Sequence, residues 1–192
     1  AFVTGADRGI GRSLALRFAS AGARVAAVAR TSREREDTAR LAAEGGILPI
    51  TADVSSADSV RQAVAAARER LGPIDILVNN AGVYLQKPFL ETRAEEWLNL
   101  YRINVLGAVL CAQEILPEML RRNSGRIILI CSSASHRGYS NQSAYVASKH
   151  ALLGLTKALA EETRGTGVRV HALSPGGVNT ALVAGRKDVN PA

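Results

Sequence analysis

Short apolar runs rich in β-branched residues alternate with amphipathic stretches along the chain. Runs of this kind, bounded by turn residues, are typical of buried strands, whereas apolar positions spaced three and four apart are typical of helices. The pattern predicts strands over residues 1–4, 24–29, 47–51, 74–79, 126–131 and 168–173. It predicts helices over residues 10–21, 32–44, 57–71, 95–122 and 144–163, with Ser55 or Ser56 capping the third and bends near Gly107 and Pro117 in the fourth.

Strands that alternate with helices predict a parallel sheet covered on both faces, because each parallel strand is reached by a helical crossover. The expected fold class is therefore α/β, a doubly wound Rossmann-like sheet in one domain over residues 1–192. We expect residues 181–192 to form a mobile loop beside the substrate. The sequence ends soon after the sixth predicted strand, and the seventh strand that such sheets often add is not in it, so either a further segment lies outside this sequence or the sheet is shorter than usual.

Composition narrows the class of protein. Hydrophobic residues make up 47% of the chain, which is ordinary for a packed domain. No apolar stretch approaches the ~20 residues of a membrane-spanning helix and no leader precedes the first strand, so we expect a cytoplasmic protein without a membrane partner. Cys111 and Cys131 lack metal or disulfide spacing and are expected to be reduced and buried. His136, His150 and His171 lack ligand spacing too, so no metal is expected.

The formal net charge of +7 raises the question of nucleic-acid binding. The basic residues are scattered, and the densest cluster is Arg30, Arg33 and Arg35. Aromatic residues make up only 4% of the chain and do not alternate with that cluster, so the sequence offers no stacking platform for bases. A solvated basic surface is favoured, and no nucleic-acid partner is expected.

A glycine-rich turn joins the first predicted strand to the first predicted helix. Glycines at such a turn permit the tight bend, the close approach of backbone to a pyrophosphate and close packing of helix on strand. A strand-to-helix turn without a ligand could use them too, but the position in the first βαβ unit favours a dinucleotide. The residues predicted to bind it are Gly5, Arg8, Gly9, Ile10 and Gly11.

Arg30 follows the second predicted strand, in the area where an acidic residue would bind the ribose 2′-hydroxyl of NAD. An arginine there can accommodate the 2′-phosphate of NADP, and Arg8 supplies a second guanidinium. Arg30 could also be a solvated residue at a strand end, but the pair favours NADP(H) over NAD(H). Asp53 follows the third strand and is either a turn residue or a contact to the adenine.

Two further segments follow predicted strands: Asn79-Asn80-Ala81-Gly82 and Pro175-Gly176-Gly177-Val178-Asn179-Thr180. Either could be an ordinary turn or loop. Both fall at the carboxyl ends of strands, where ligands bind in sheets of this kind, and small residues let the backbone come close to a ligand.

Tyr145 and Lys149 lie four residues apart in the last predicted helix, so their side chains project from one face. An ammonium beside a phenol favours the phenolate and lowers the tyrosine pKa, which suits proton transfer. A surface Tyr/Lys pair would be the preferred interpretation if the pair stood alone. Ser132, just past the fifth predicted strand, is close enough in sequence to present a hydroxyl to a substrate carbonyl.

Together these motifs resemble the short-chain dehydrogenase/reductase family, in its single-domain oxidoreductase branch, over essentially the whole chain. The resemblance rests on the glycine turn, Asp53-Val54, Asn79-Asn80-Ala81-Gly82, Asn104, Ser132, Tyr145-x-x-x-Lys149 and Pro175-Gly176 with Thr180, in the family's order. It implies that the chain transfers a hydride between NADP(H) and a carbonyl or alcohol substrate, and that it forms a homodimer or homotetramer.

The resemblance also implies roles for single residues. Tyr145 would be the catalytic acid/base, Ser132 would orient the carbonyl, and Lys149 would hold the nicotinamide ribose and lower the tyrosine pKa. Asn104 would support a water-linked proton relay. The cofactor would further contact Asp53, Val54, Asn80, Ala81, Gly82, Pro175, Gly176, Val178 and Thr180, with Val178 and Thr180 at its carboxamide.

Two departures from the family pattern are Ser174, where many members have asparagine, and Ser135, where glycine is frequent. They affect the cofactor loop and the width of the pocket rather than the chemistry. A second function class remains: a nucleotide-binding sensor or scaffold that keeps the fold without turnover. A sugar-nucleotide epimerase or dehydratase can share the Tyr/Lys pair but usually has another glycine spacing and a second domain.

Overall fold

The computed structural model describes residues 1–30 and 46–178. Its centre is a six-stranded sheet in which every neighbouring pair of strands is parallel. The strand order is β3-β2-β1-β4-β5-β6, which confirms the doubly wound α/β class. The strands are β1 (Phe2–Thr4), β2 (Val25–Ala29), β3 (Ile47–Thr51), β4 (Ile76–Asn79), β5 (Gly125–Ile130) and β6 (Val168–Leu173).

Helices cover both faces of this sheet because successive strand residues point to opposite sides. Phe2 belongs to an apolar core with residues of α2, α4 and α5, whereas Val3 belongs to a second core with residues of α1. The described helices are α1 (Gly9–Ser20), α2 (Ala57–Leu71), α3 (Ala94–Tyr101), α4 (Gly107–Arg121) and α5 (Ser143–Glu162).

The strand order reverses direction between β1 and β4, so the loops after these two strands diverge to opposite faces of the sheet. In open parallel sheets ligands bind at this switch point, outside the carboxyl ends of the strands. The glycine turn and the Asn79-Asn80-Ala81-Gly82 segment are the loops that leave these two strands. The fold therefore places both predicted binding segments at one crevice.

The predicted helix over 95–122 is a continuous helical run with an unexpected centre. A π-helical turn, Arg102–Leu106, separates α3 from α4 and buries Asn104. This widened turn ends directly before Gly107, near which the sequence predicts a bend, and a Cβ at Gly107 would lie 2.8 Å from Cγ2 of Val54. Pro117 lies inside α4.

By length and composition, the 28-residue helix Ala94–Arg121 is apolar enough to cross a membrane. Length and composition alone do not distinguish a membrane span from the core helix of a globular domain. Its face against the sheet is fully buried at Ile115 and Met119, both of which belong to the first apolar core. A helix packed in this way is also what the core of a doubly wound fold requires.

The remaining boundaries agree with the pattern within one or two residues, and three elements, residues 47–51, 57–71 and 168–173, agree at both ends. Ser56 is the cap of α2, since its hydroxyl accepts a hydrogen bond from the backbone N–H of Ser59. The predicted helix over 32–44 and the predicted loop over 181–192 lie outside the described residues.

Candidate active site

The glycine turn forms a tight backbone cradle at the start of α1. Gly5 and Gly9 have φ values of +61° and +54°, a region that side chains other than glycine rarely adopt. A Cβ at Gly11 would lie only 2.1 Å from the carbonyl oxygen of Gly5. The α1 helix lies wholly within the described residues and has no acidic side chain in its first turn. Its positive end is therefore available to an anion such as a phosphate.

Asn80 and Thr4 fasten this cradle to the neighbouring strand. The Asn80 amide donates to the carbonyl oxygens of Thr4 and Gly5, both at 3.0 Å. The buried Thr4 hydroxyl donates to the Val78 carbonyl and accepts from the backbone N–H groups of Asn80 and Ala81, at 3.0 Å each. The two loops at the switch point are thus held together by side chains of both.

An open cleft of about 210 Å³ lies against the cradle. The walls combine the glycine turn, the ends of β2 and β3 and the loop after β4. Predicted cofactor residues that line the cleft are Gly5, Arg8, Gly9, Ile10, Arg30, Asp53, Val54, Asn80, Ala81 and Gly82, whereas Gly11 lies behind the turn as a packing contact.

Two arginines, Arg8 and Arg30, and two aspartates, Asp7 and Asp53, line this cleft. Arg8 and Arg30 both line it and are exposed, so their guanidinium groups are accessible to a ligand. Asp53 accepts hydrogen bonds from the hydroxyl and the backbone N–H of Ser55, at 2.7 and 2.9 Å. These bonds, with a smaller effect from Arg30, hold the pKa of Asp53 below its usual range. The Asp53 carboxylate is therefore ionised at neutral pH, and its hydrogen bonds to Ser55 stabilise the turn that leads into α2.

The Tyr145/Lys149 pair is buried rather than on the surface. Tyr145 is 8% exposed and Lys149 is 5% exposed. The Lys149 ammonium donates to the carbonyl oxygen of Ile130 at 2.8 Å and lies 5.8 Å from the centroid of the Tyr145 ring. Burial lowers the pKa of Lys149 to about 8. The ammonium is therefore charged at neutral pH and close to a phenol that also packs edge-on against Tyr84.

A buried network connects Asn104 to the same helix. The Asn104 amide donates to the hydroxyl of Ser148 at 3.0 Å and exchanges two hydrogen bonds with the backbone of Val83. The Ser148 hydroxyl in turn donates to the carbonyl oxygen of Tyr145 at 2.7 Å. The Asn104 side chain therefore fixes the first turns of α5 against the loop after β4. The sequence analysis gave Ser148 no role, although its position three residues after Tyr145 puts it on the same helical face.

Ser132 lies at the end of β5, one residue after Cys131. Its hydroxyl accepts from the backbone N–H of Ala134 at 3.1 Å, and its own N–H donates to the hydroxyl of Ser135 at 3.2 Å. The two serines form a reciprocal cap around a short 3₁₀ turn. Ser135 is therefore a structural partner of Ser132 as well as a bulkier replacement for glycine.

The loop after β6 reaches the same edge of the sheet. The carbonyl oxygen of Pro175 accepts from the backbone N–H of Ser133 at 2.8 Å, which ties this loop to the Ser132 turn. Gly176 and Val178 follow and are exposed. Thr180, the last predicted cofactor residue, lies outside the described residues.

Of the cysteines, Cys131 borders this arrangement, because its thiol interacts with the Lys149 ammonium and with the Ser135 hydroxyl. Both cysteines are free and buried, and burial raises the pKa of Cys111 to about 12. His136 contacts the hydroxyl of Ser174 at 3.0 Å, and His150 contacts the carbonyl oxygen of Val146. Within residues 1–30 and 46–178, no three His, Cys, Asp or Glu side chains are grouped to hold a metal ion.

Known proteins of similar sequence share this architecture. The chain is 40% identical to the short chain dehydrogenase/reductase astE of Aspergillus oryzae over 187 residues, which is 95% of this chain and 72% of the relative. It is 36% identical to the 3-oxoacyl-(acyl-carrier-protein) reductase FabG of Staphylococcus epidermidis, over 92% of this chain and 73% of that protein.

Solved structures of similar proteins have the same fold as this chain. The actinorhodin polyketide ketoreductase with NADPH superposes with a TM-score of 0.91 at 38% identity, over 94% of this chain and 71% of that one. The 3-ketoacyl-(acyl-carrier-protein) reductase from Brucella melitensis, complexed with NADH, gives 0.91 at 33% identity, over 95% of this chain and 77% of that one. The family model described as short chain dehydrogenase matches residues 1–190. The chain belongs to the short-chain dehydrogenase/reductase family, the NAD(P)-dependent oxidoreductases of carbonyl and alcohol groups.

Proposed function

We propose that this chain interconverts a carbonyl and an alcohol with NADP(H), and that Tyr145 is its acid/base. The observation that carries the proposal is the buried Lys149 ammonium beside the Tyr145 ring. Burying a cation costs hydration free energy unless hydrogen bonds or opposite charges replace the lost water. The hydrogen bond from Lys149 to the carbonyl oxygen of Ile130 replaces only part of it. An ammonium there stabilises a phenolate, and a phenol that exchanges its proton readily is what carbonyl reduction requires.

The residues of the cleft fit a dinucleotide. The cradle has no room for a Cβ at Gly11, its helix end favours an anion, and arginines flank its opening. Gly5, Gly9 and Ile10 would hold the pyrophosphate, and Asn80, Ala81 and Gly82 would border the chain of the cofactor. When bound, the nicotinamide supplies or accepts the hydride.

The chain's own residues would manage the proton and the substrate oxygen. In reduction, the Tyr145 hydroxyl donates a proton to the carbonyl oxygen, and in oxidation the phenolate removes it from the alcohol. The Ser132 hydroxyl donates to the same oxygen and stabilises the charge that develops on it. The Lys149 ammonium stabilises the Tyr145 phenolate and would hold the nicotinamide ribose.

The proposal assigns roles to three further residues, Asn104, Val178 and Thr180. Asn104 supports a proton relay, and its amide fixes the neighbourhood of Tyr145 through Ser148. Val178 and Thr180 would hold the nicotinamide carboxamide of the bound cofactor.

The preference for NADP(H) rests on two cations. Arg8 and Arg30 line the same cleft and are exposed, so both can contact a 2′-phosphate without first breaking a core contact. Asp53 near Arg30 works in the other direction, since its charge partly offsets that of the guanidinium. Asp7 also lines the cleft, so the preference rests on the paired N–H groups that two guanidiniums can offer to phosphate oxygens and not on net charge.

A turnover screen tests the proposed function. Ketones and aldehydes are offered with NADPH or NADH, alcohols with the oxidised cofactors, and the absorbance of the reduced nicotinamide is followed. We expect oxidation of NADPH by some carbonyl compounds, with NADH slower. Tight binding of NADPH without turnover of any carbonyl or alcohol would instead favour the sensor or scaffold hypothesis.

A further inference from the structure

The loop after β4 brings a second aromatic ring against the proposed proton donor. The centroids of the Tyr84 and Tyr145 rings are 4.9 Å apart, and the two ring planes are inclined by 77°. Aromatic rings prefer such an edge-to-face arrangement to a parallel sandwich, because the positive edge of one ring meets the negative face of the other. Tyr84 is partly buried and packs against the small apolar cluster that contains Tyr145. Its ring is therefore in direct contact with the residue proposed to transfer the proton.

The backbone that carries Tyr84 is held by the same side chain that fixes α5. Oδ1 of Asn104 accepts from the N–H of Val83 at 2.8 Å, and the Asn104 amide donates to the Val83 carbonyl oxygen and to the Ser148 hydroxyl, at 3.0 Å each. The Ser148 hydroxyl donates to the carbonyl oxygen of Tyr145 at 2.7 Å. The contacts therefore form a closed circuit, in which polar groups fix both stretches of backbone and the two aromatic rings make the last contact.

This circuit restricts the orientation of the Tyr145 side chain, which its backbone bonds alone do not. A side chain in the first turn of a helix has more than one staggered rotamer, and its packing contacts select among them. The Lys149 ammonium lies 5.8 Å from the centroid of the Tyr145 ring, so a rotation of the side chain changes the distance from the ammonium to the phenol oxygen. A misplacement of about 1 Å in a reacting group can cost about a hundredfold in rate. The contact with the Tyr84 ring therefore bears on the proton transfer itself.

We propose that Tyr84 is a positioning residue for the proton transfer, and that its ring holds the Tyr145 hydroxyl within reach of the substrate oxygen. The ring carries this role and the Tyr84 hydroxyl does not, since that hydroxyl donates to Oε1 of the exposed Gln86 at 3.4 Å. Tyr84 acts through Tyr145 and needs no bond to the substrate or the cofactor. This inference rests on the proposed function, because it takes Tyr145 as the proton donor.

Two variants separate the ring from its hydroxyl, since Tyr84→Leu removes the ring and Tyr84→Phe keeps it. Both are assayed with NADPH and the carbonyl compound that the turnover screen finds to be reduced fastest. We expect kcat to fall by about tenfold or more in Tyr84→Leu, while KM, NADPH affinity and the kcat of Tyr84→Phe stay within about twofold of wild type. Phe89→Leu removes a similar edge-on contact, between Phe89 and Trp97 with centroids 6.3 Å apart, and is the matched control that should leave kcat unchanged.

A double-mutant cycle shows whether Tyr84 acts through Tyr145. Tyr145→Phe lacks the hydroxyl to be positioned, so adding Tyr84→Leu to it should change the residual turnover by less than about twofold. A full loss in that background overturns the proposal, because Tyr84 would then act on the substrate or the cofactor directly. Wild-type kcat in Tyr84→Leu, a change confined to KM, and equal losses in Tyr84→Leu and Tyr84→Phe also overturn it.

A Tyr84→Leu chain that fails to fold or to bind NADPH overturns the proposal too, because the role of the ring would then be structural. Failure of the proposed function has separate signs. Either the screen finds no carbonyl compound that is reduced, or Tyr145→Phe retains normal turnover.

Discussion

The glycine cradle and the start of α5 form two halves of one candidate site, but backbone shapes the first half and side chains shape the second. The cradle consists of backbone: its φ values and its contact between Gly11 and Gly5 leave no room for side chains. The start of α5 depends on buried polar side chains: Ser148 and Lys149 of α5 and Asn104 of the π-helical turn each hydrogen-bond within the protein.

This difference predicts different sensitivities. A backbone cradle fails when volume is added, because nothing in it can move aside cheaply. A buried polar network fails when a functional group is removed or changes its charge, because its partners are then left unpaired in a region without water. Substitutions that separate volume from chemistry can therefore test whether the two halves behave as described.

The largest expected effect concerns the charge on Lys149. Burial lowers its pKa to about 8 from an ordinary value of 10.5, so the unfolded chain binds this proton more tightly than the folded chain. The free energy of unfolding should therefore increase as the pH rises from 8 to 10.5. Below pH 8 the buried charge lowers it by the full amount. The gain amounts to about 3 kcal/mol at most.

Urea unfolding of the wild-type chain and Lys149→Met across this pH range measures the contribution as the difference between the two curves. Lys157→Met, an exposed position on the same helix, should leave the wild-type dependence unchanged. Parallel curves for wild type and Lys149→Met would show that the ammonium is not desolvated as described.

The next effect is on the cradle. Gly11→Ala places a Cβ 2.1 Å from the oxygen of Gly5 and 2.4 Å from the Asn80 amide nitrogen. We expect a loss of about 1–3 kcal/mol in the free energy of unfolding, together with weaker cofactor binding. Gly154→Ala in α5 meets no atom within 4 Å and should stabilise the chain by about 0.5–1 kcal/mol. If both variants unfold at the same denaturant concentration, the cradle is not closely packed.

A smaller effect concerns selectivity at the cleft's opening. NADPH should bind at least tenfold more tightly than NADH, a difference of about 1.4 kcal/mol. Arg30→Ala should remove most of this difference, whereas Arg17→Ala, exposed at the end of α1, should not. Fluorescence titration at moderate salt measures all six affinities. Equal affinities in the wild-type chain would contradict the preference for NADP(H).

The smallest effect concerns self-association. The run from α3 to α4 exposes Leu98, Tyr101 and Leu106, which would be covered if two copies paired this helix across a two-fold axis. Light scattering at micromolar concentration should then detect a species heavier than the 20.3 kDa chain. Leu98→Lys should weaken that assembly and Gln62→Lys should not. A wild-type chain that scatters only as a monomer would contradict this expectation.

The sequence predicted the backbone half of the site better than the side-chain half. Strand and helix periodicity and the spacing of Gly5, Gly9 and Gly11 are local signals, so the sheet and the cradle follow from them. The π-helical turn at Asn104 could not be predicted, because it depends on contacts with Val83 and Ser148, which are distant in sequence.

The central claim is that Tyr145 transfers the proton while the cradle binds the cofactor independently of it. Tyr145→Phe removes one hydroxyl and keeps the ring that packs against Tyr84. Turnover and NADPH affinity are measured on the same preparation. We expect turnover to fall by about a hundredfold or more, with NADPH affinity changed little. Near-normal turnover, or loss of NADPH binding together with turnover, would contradict the account.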